Sequence, residues 1–196
     1  MKKLLVSIMV FGGFLACGCA GKSVNLAPGP LFPKNVAVLP LDNRSNDINV
    51  PEVIRKGFKK LVENKGYAVK DIIATDNVLN ELGVTDAGQL SAMNGTELAK
   101  ALEVGGVFYG TLLEFNYVTL GVYYKRQVRV SFKLVDGLTG KVLWEEDKQI
   151  KNSEMSFNKD KIKEQVATKL VEKIFRVTMI GEVDEVLKKI VETLPQ

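Results

Sequence analysis

The spacing of hydrophobic positions changes several times along this chain, and the changes mark out its elements. Residues 4–15 are an almost unbroken apolar run behind Lys2 and Lys3. Residues 20–34, which include Pro28, Pro30 and Pro33, follow neither a period of two nor one of 3.6. Residues 35–41 (Asn-Val-Ala-Val-Leu-Pro-Leu) form a short apolar run suited to a buried strand. After a polar loop at 42–47, Val50, Ile54, Phe58, Leu61 and Val62 recur at spacings of three and four, the stripe of an amphipathic helix. Pro51 suits its first turn, and Gly66 suits the left-handed residue that ends it. Residues 67–69 read as a second short strand.

Two further helices are expected next. One is capped by Thr75 or Asp76 and stopped by Gly83; the other is capped by Thr96, carries Leu98, Ala99, Leu102 and Val104, and ends before Gly105-Gly106. From Val107 the period becomes two. Residues 107–120 run out, Gly121 offers a turn, and residues 122–135 return with Val128, Val130, Phe132 and Leu134 alternating with Arg129, Ser131 and Lys133. Asp136-Gly137-Leu138-Thr139-Gly140 is a tight hairpin leading into 141–150, which completes a three-stranded antiparallel meander. In the tail, Ile162, Val166, Leu170 and Ile174 form one helical stripe; after an interruption at Gly181, Val183, Val186, Leu187, Ile190 and Val191 form another. The predicted fold class is α+β, an antiparallel or mixed sheet with helices on one side of it.

The N-terminal run is too short and wrongly flanked to span a membrane, and reads as a removable secretion signal. The segment Leu15-Ala16-Cys17-Gly18-Cys19-Ala20 follows it, with a small residue before each cysteine. That order is similar to the lipobox of bacterial lipoproteins in either register. Cys19 is the preferred lipidation site, because cleavage before Cys17 leaves Cys19 as a free thiol in an oxidising compartment. Cys17 is the alternative, and an ordinary cleaved signal containing both is a third reading. The chain then divides into a signal at 1–18, a lipidated tether at 19–34 and one domain at 35–196. Thioether-linked diacylglycerol and an amide-linked palmitate-type chain supply the two anchors that stable attachment requires. Fifteen tether residues reach roughly 50 Å at ~3.3–3.6 Å per residue.

Composition narrows the chemistry. The 196 residues include no histidine, which removes the usual general base near neutral pH, the Ser-His and Cys-His nucleophile pairs and the commonest metal ligand. With both cysteines committed to processing, thiolate metal sites and disulfides go as well. No metal or cofactor is expected, and no enzymatic activity. The signal holds two of the 27 basic and none of the 23 acidic residues, leaving 25 against 23. A net charge of +2 gives no warrant for nucleic acid binding.

Four local features carry a functional reading beside a plainer structural one. Asp42-Asn43-Arg44 ends the first strand, where α/β proteins often bind ligands; the plainer role is an Asx-stabilised turn. Residues 136–141 look like a phosphate loop but join two strands and lack its spacing. Arg55, Lys56, Lys59 and Lys60 make a basic helix face, either solvated or set toward anionic lipid. Tyr117, Tyr123 and Tyr124 load a hairpin tip with more apolar surface than a turn needs. They either fold back onto the core or form a docking surface for a protein or a membrane interface.

The lipobox, the Val36-Ala37-Val38-Leu39-Pro40-Leu41 strand with its Asp42-Asn43-Arg44-Ser45 loop, and the Asp136-Gly137-Leu138-Thr139-Gly140-Lys141-Val142-Leu143-Trp144 hairpin together resemble a family of bacterial lipoproteins that includes a neisserial vaccine-candidate antigen. The domain looks like the N-terminal domain of TolB and the periplasmic domains of the curli secretion-channel lipoprotein and of lipoprotein activators of penicillin-binding proteins. The resemblance implies an outer-membrane-anchored, periplasm-facing, non-enzymatic adaptor or assembly component, with envelope proteins such as a curli-channel-like lipoprotein as partners. Neither Gly18 nor Ala20 is the aspartate that retains lipoproteins at the inner membrane in enteric bacteria. The alternative is a subunit of a curli-channel-like pore. It needs two lipid-crossing hairpins, and Arg126, Arg129 and Lys133 load the return strand of the longer one with charge.

Overall fold

A computed structural model of the chain describes residues 32–120, 123–155 and 179–195. The signal, both cysteines, most of the tether, the turn at Gly121 and the stripe from Ile162 to Ile174 lie outside the described residues. Among them, six strands make one sheet: β1 (Asn35–Val38), β2 (Asp42–Asn43), β3 (Ala68–Val69), β4 (Gly106–Leu120), β5 (Tyr123–Asp136) and β6 (Val142–Met155). Their order is β3-β1-β4-β5-β6, with β2 continuing the β1 edge of β4. β1 pairs in parallel with β3 and β4, whereas β4, β5 and β6 form the expected antiparallel meander. The fold is therefore α+β with a mixed sheet.

The helices among the described residues are α1 (Val50–Asn64), α2 (Ile72–Glu81), α3 (Gly95–Ala101) and α4 (Ile180–Glu192), with a 3-10 turn at Ala87–Ala92. They cover both faces of the sheet, not one. The alternation of β1 shows why: Val36 and Val38 enter a cluster with Phe58 of α1 and Val186 and Leu187 of α4, while Ala37 and Leu39 enter another with Leu79 of α2 and Leu98 of α3. A strand buried on both faces reads as a continuous apolar run, and that is how 35–41 reads.

On the α1/α4 face, Phe58 stacks on Phe132 with ring centroids 3.7 Å apart and meets Phe108 edge-on at 5.2 Å. Gly110 makes room for this packing. A Cβ there would lie 2.6 Å from the Phe132 ring and 2.8 Å from the Leu41 side chain. The Trp144 indole N–H closes the far side by donating to the Thr193 hydroxyl at 3.1 Å.

Two helix starts lie earlier than expected. The Asp71 carboxylate, not Thr75 or Asp76, caps α2 by accepting from the Ile73 and Ala74 N–H groups at 2.9 and 3.1 Å. Those bonds hold its pKa below the usual carboxylate range. Asn94, not Thr96, caps α3 by accepting the Thr96 N–H at 3.0 Å. Gly181 falls within the first turn of α4 and does not interrupt it. Phe32 and Pro33, in the stretch read as tether, already pack on the domain: Phe32 against the main core, and Pro33 against Gly105 and Gly106.

Candidate docking tip

The register of the meander sorts the tyrosines of its far end. Tyr117 pairs with Arg126, and Arg126 with Asn152, so these three form one row across β4, β5 and β6. Phe115, Val128 and Ile150, two residues nearer the core on each strand, occupy the same face and belong to the main cluster or pack against it. Tyr117 is half-buried against that cluster and its hydroxyl oxygen is enclosed. Leu120 pairs with Tyr123. Side chains alternate along an unbroken pleat, so Tyr123 projects from the opposite face, where Val118 is 40 % exposed. Tyr124 pairs through its backbone with Thr119 and Glu154. The tyrosine cluster read from the sequence is thus divided: Tyr117 folds back onto the core, and Tyr123 stands on the outer face.

Glu182, in the first turn of α4, closes the row beneath Tyr117. It is 5 % exposed, accepts from Asn152 Nδ2 at 3.1 Å and pairs with Arg126 Nε at 3.2 Å. A carboxylate near a helix N-terminus is favoured by the helix dipole, and the buried charge has a cationic partner. Sequence reasoning missed this cluster. The signal was an acidic residue at the head of the apolar stripe of α4, but its partners come from strands that only the register brings together.

The outer face of β5 and β6 is polar and self-paired. Arg129 makes two bonds to Asp147, at 3.0 and 2.7 Å, which hold its guanidinium protonated more firmly than usual. Glu114 accepts from Gln127 and, at 3.1 Å, from Gln149. On the other face these strands lie against α4.

The other sequence candidates resolve into structure. Arg44 pairs with Asp42 at 3.1 Å, and the Asn43 and Asp47 side chains accept backbone N–H groups of Ser45, Asn49 and Val50, as an Asx-stabilised turn requires. In residues 136–141 the Asp136 carboxylate accepts the Leu138 and Thr139 N–H groups and the Thr139 hydroxyl, which holds its pKa low. It is a hairpin turn. The basic helix face is corrected: Arg55 is 2 % exposed and bonds the Val38 carbonyl and both oxygens of Asp76. Lys56 and Lys59 pair with Glu52 and Glu63 on their own helix. Among the described residues no group of three or more His, Cys, Asp or Glu could hold a metal, and no helix is long and apolar enough to cross a membrane.

The chain enters the domain at the end of β4 opposite this tip. Pro33 lies on Gly105 and Gly106, and β4 then runs fifteen residues to Leu120. At ~3.3 Å per residue the tip stands about 45 Å from the point of entry.

With this geometry in place, the sequence matches the family described as "Putative lipoprotein GNA1162-like" over residues 31–188. The chain belongs to that family. Among solved structures it is similar to the lipoprotein GNA1162 from Neisseria meningitidis, with 22 % identity and a TM-score of 0.58 over 72 % of this chain and 98 % of that one. It is also similar to the PelC dodecamer from Paraburkholderia phytofirmans, with 15 % identity and a TM-score of 0.50 over 84 % and 91 %. The LpoB C-terminal domain from Escherichia coli matches at 13 % identity and a TM-score of 0.45 over 64 % and 88 %. No curated protein matches the sequence. The family match agrees with the resemblance carried by the first strand and the hairpin, both within the matched residues, and the GNA1162 and PelC structures agree with the fold.

Proposed function

We propose that this member of the GNA1162-like family is a lipid-anchored, periplasm-facing adaptor without catalytic activity. Cys19, or Cys17 in the alternative register, carries the lipid that moors it, and the outer membrane is the membrane concerned. A protein of the envelope, such as a curli-channel-like lipoprotein, docks on the outer face of the tip through Tyr123 and its neighbour Val118.

One observation carries this reading: chain entry and exposed tip occupy opposite ends of a meander about 45 Å long. A domain moored at one end presents the other to partners away from the anchoring bilayer. The absence of histidine from the whole chain and the commitment of Arg55, Asp76, Arg129 and Asp147 to ion pairs support a binding part over an enzyme.

A ring-forming subunit is the second reading, favoured by the dodecameric state of PelC. Burial of Val128, Val130, Phe132 and Ile150 in the domain core weighs against use of these strands as a lipid-crossing hairpin. Crosslinking in intact cells followed by pull-down tests docking. Tyr123→Ala combined with Val118→Asp is expected to lose the envelope partners that the natural protein captures while the domain stays folded. Unchanged partners would remove the tip from the account.

A further inference from the structure

The pole at which the chain enters the domain carries an exposed apolar feature of its own. Gly106 pairs with Asp136, and the Gly137 N–H donates to the Gly105 carbonyl at 2.8 Å. The turn between β5 and β6 therefore stands beside Pro33, which lies on the same two glycines. At its crest Leu138 is 90 % exposed, and Val142 just beyond is 52 % exposed. A lone exposed leucine is ordinary on a protein surface. This one is fixed in place: the Asp136 carboxylate binds the Leu138 and Thr139 N–H groups, and Gly140 adopts a φ of +70° that closes the turn. The turn holds the side chain out.

We propose that this crest rests on the bilayer bearing the anchor, with Leu138 entering the boundary between headgroups and acyl chains. Lys141 and Lys34, both exposed beside it, meet anionic headgroups. The inference rests on acylation of Cys19, and the length of the intervening chain supports it. Thirteen residues lie between Cys19 and Phe32 (counting Phe32), so the entry pole stays within about 45 Å of the membrane. A short linker of this kind gives an effective concentration on the order of millimolar, which raises the occupancy of a contact whose intrinsic affinity is weak.

The charges on this pole are four lysines against Glu103 and Asp136; the small positive excess suits anionic headgroups, and Leu138 makes the apolar contact. Lys65 and Lys70 are engaged with the carbonyls of Val191 and Leu102, Lys34 also lies over the Tyr67 ring, Glu103 is exposed, and the Asp136 carboxylate is turned into the hairpin. With the crest on the membrane, the meander stands away from it and the tip faces outward.

The test uses the full mature lipidated protein in phosphatidylethanolamine–phosphatidylglycerol vesicles containing a doxyl-labelled lipid. Val142→Cys, which keeps Leu138 in place beside it, and Val118→Cys are each labelled with an environment-sensitive fluorophore; acylation of Cys19 leaves the introduced thiol as the one reactive site. The label at 142 is expected to be quenched at least about threefold more than the label at 118, as entry of the neighbouring Leu138 5–10 Å into the interface requires. Equal or absent quenching in protein that carries its lipid overturns the inference and leaves the anchor standing. Protein that carries no lipid and stays off the vesicles overturns both. Equal quenching in vesicles without phosphatidylglycerol supports entry of the leucine; loss of quenching there leaves a contact made by the lysines alone and overturns it.

Discussion

Arg55 sends its guanidinium to the Val38 carbonyl and to both oxygens of Asp76, so that β1, α1 and α2 meet on one side chain. Truncation leaves a buried carbonyl and a carboxylate without their donor. We expect Arg55→Ala to cost about 2–4 kcal/mol, read as a lower urea midpoint at an unchanged slope. The Asp136 carboxylate acts at the same scale. Its folded pKa lies below the unfolded value, so its stabilisation is present above that value and lost as pH falls. Asp136→Asn is therefore expected to lower stability at neutral pH and to flatten the loss of stability below about pH 4, measured by urea unfolding across the acid range. The same residues show what local pattern conveys. Asp136 before Gly137 and Thr139 announces a turn through contacts within four residues. Arg55 looks like a surface charge beside Lys56, Lys59 and Lys60, because its partners lie 17 and 21 residues away.

At the scale of elements, the close approach of β4 to the aromatic core depends on Gly110. Phe132 is held by its stack on Phe58 and cannot retreat from an added methyl group. Gly110→Ala is expected to destabilise the domain by about 1–3 kcal/mol in thermal or urea unfolding. A change under a few tenths would show that the core gives way more readily than the stack implies. The long stripes were legible here: α1 and α4 each bury one face, and the period of two in 107–135 gave the meander. The starts of α2 and α3 were not. Asp76 has the chemistry of a cap but is taken by Arg55, and the Thr75 hydroxyl bonds back to the Asp71 carbonyl, so Asp71 caps the helix one turn earlier. Coverage of both sheet faces was carried by the unbroken run at 35–41, yet such a run does not say what lies on either side. Likewise, three nearby tyrosines made a cluster in the sequence, whereas the pairing of Leu120 with Tyr123 places Tyr117 and Tyr123 on opposite faces.

For the whole molecule, the long axis of the meander separates the two poles to which the proposals assign different roles. One end receives the chain and presents Leu138 and Lys141; the other holds Tyr123 above a tip closed from within by Arg126, Asn152 and Glu182. The chain belongs to a lipoprotein family and has a mixed α+β domain, and the proposed adaptor role depends on the anchor. The most direct measurement is mass spectrometry of the N-terminal peptide of the protein taken from native membranes. The account predicts a chain that begins at Cys19 with diacylglycerol on sulfur and an acyl group on the amine. A peptide beginning at Met1, or one with an unmodified cysteine in protein recovered from the soluble fraction, would contradict it.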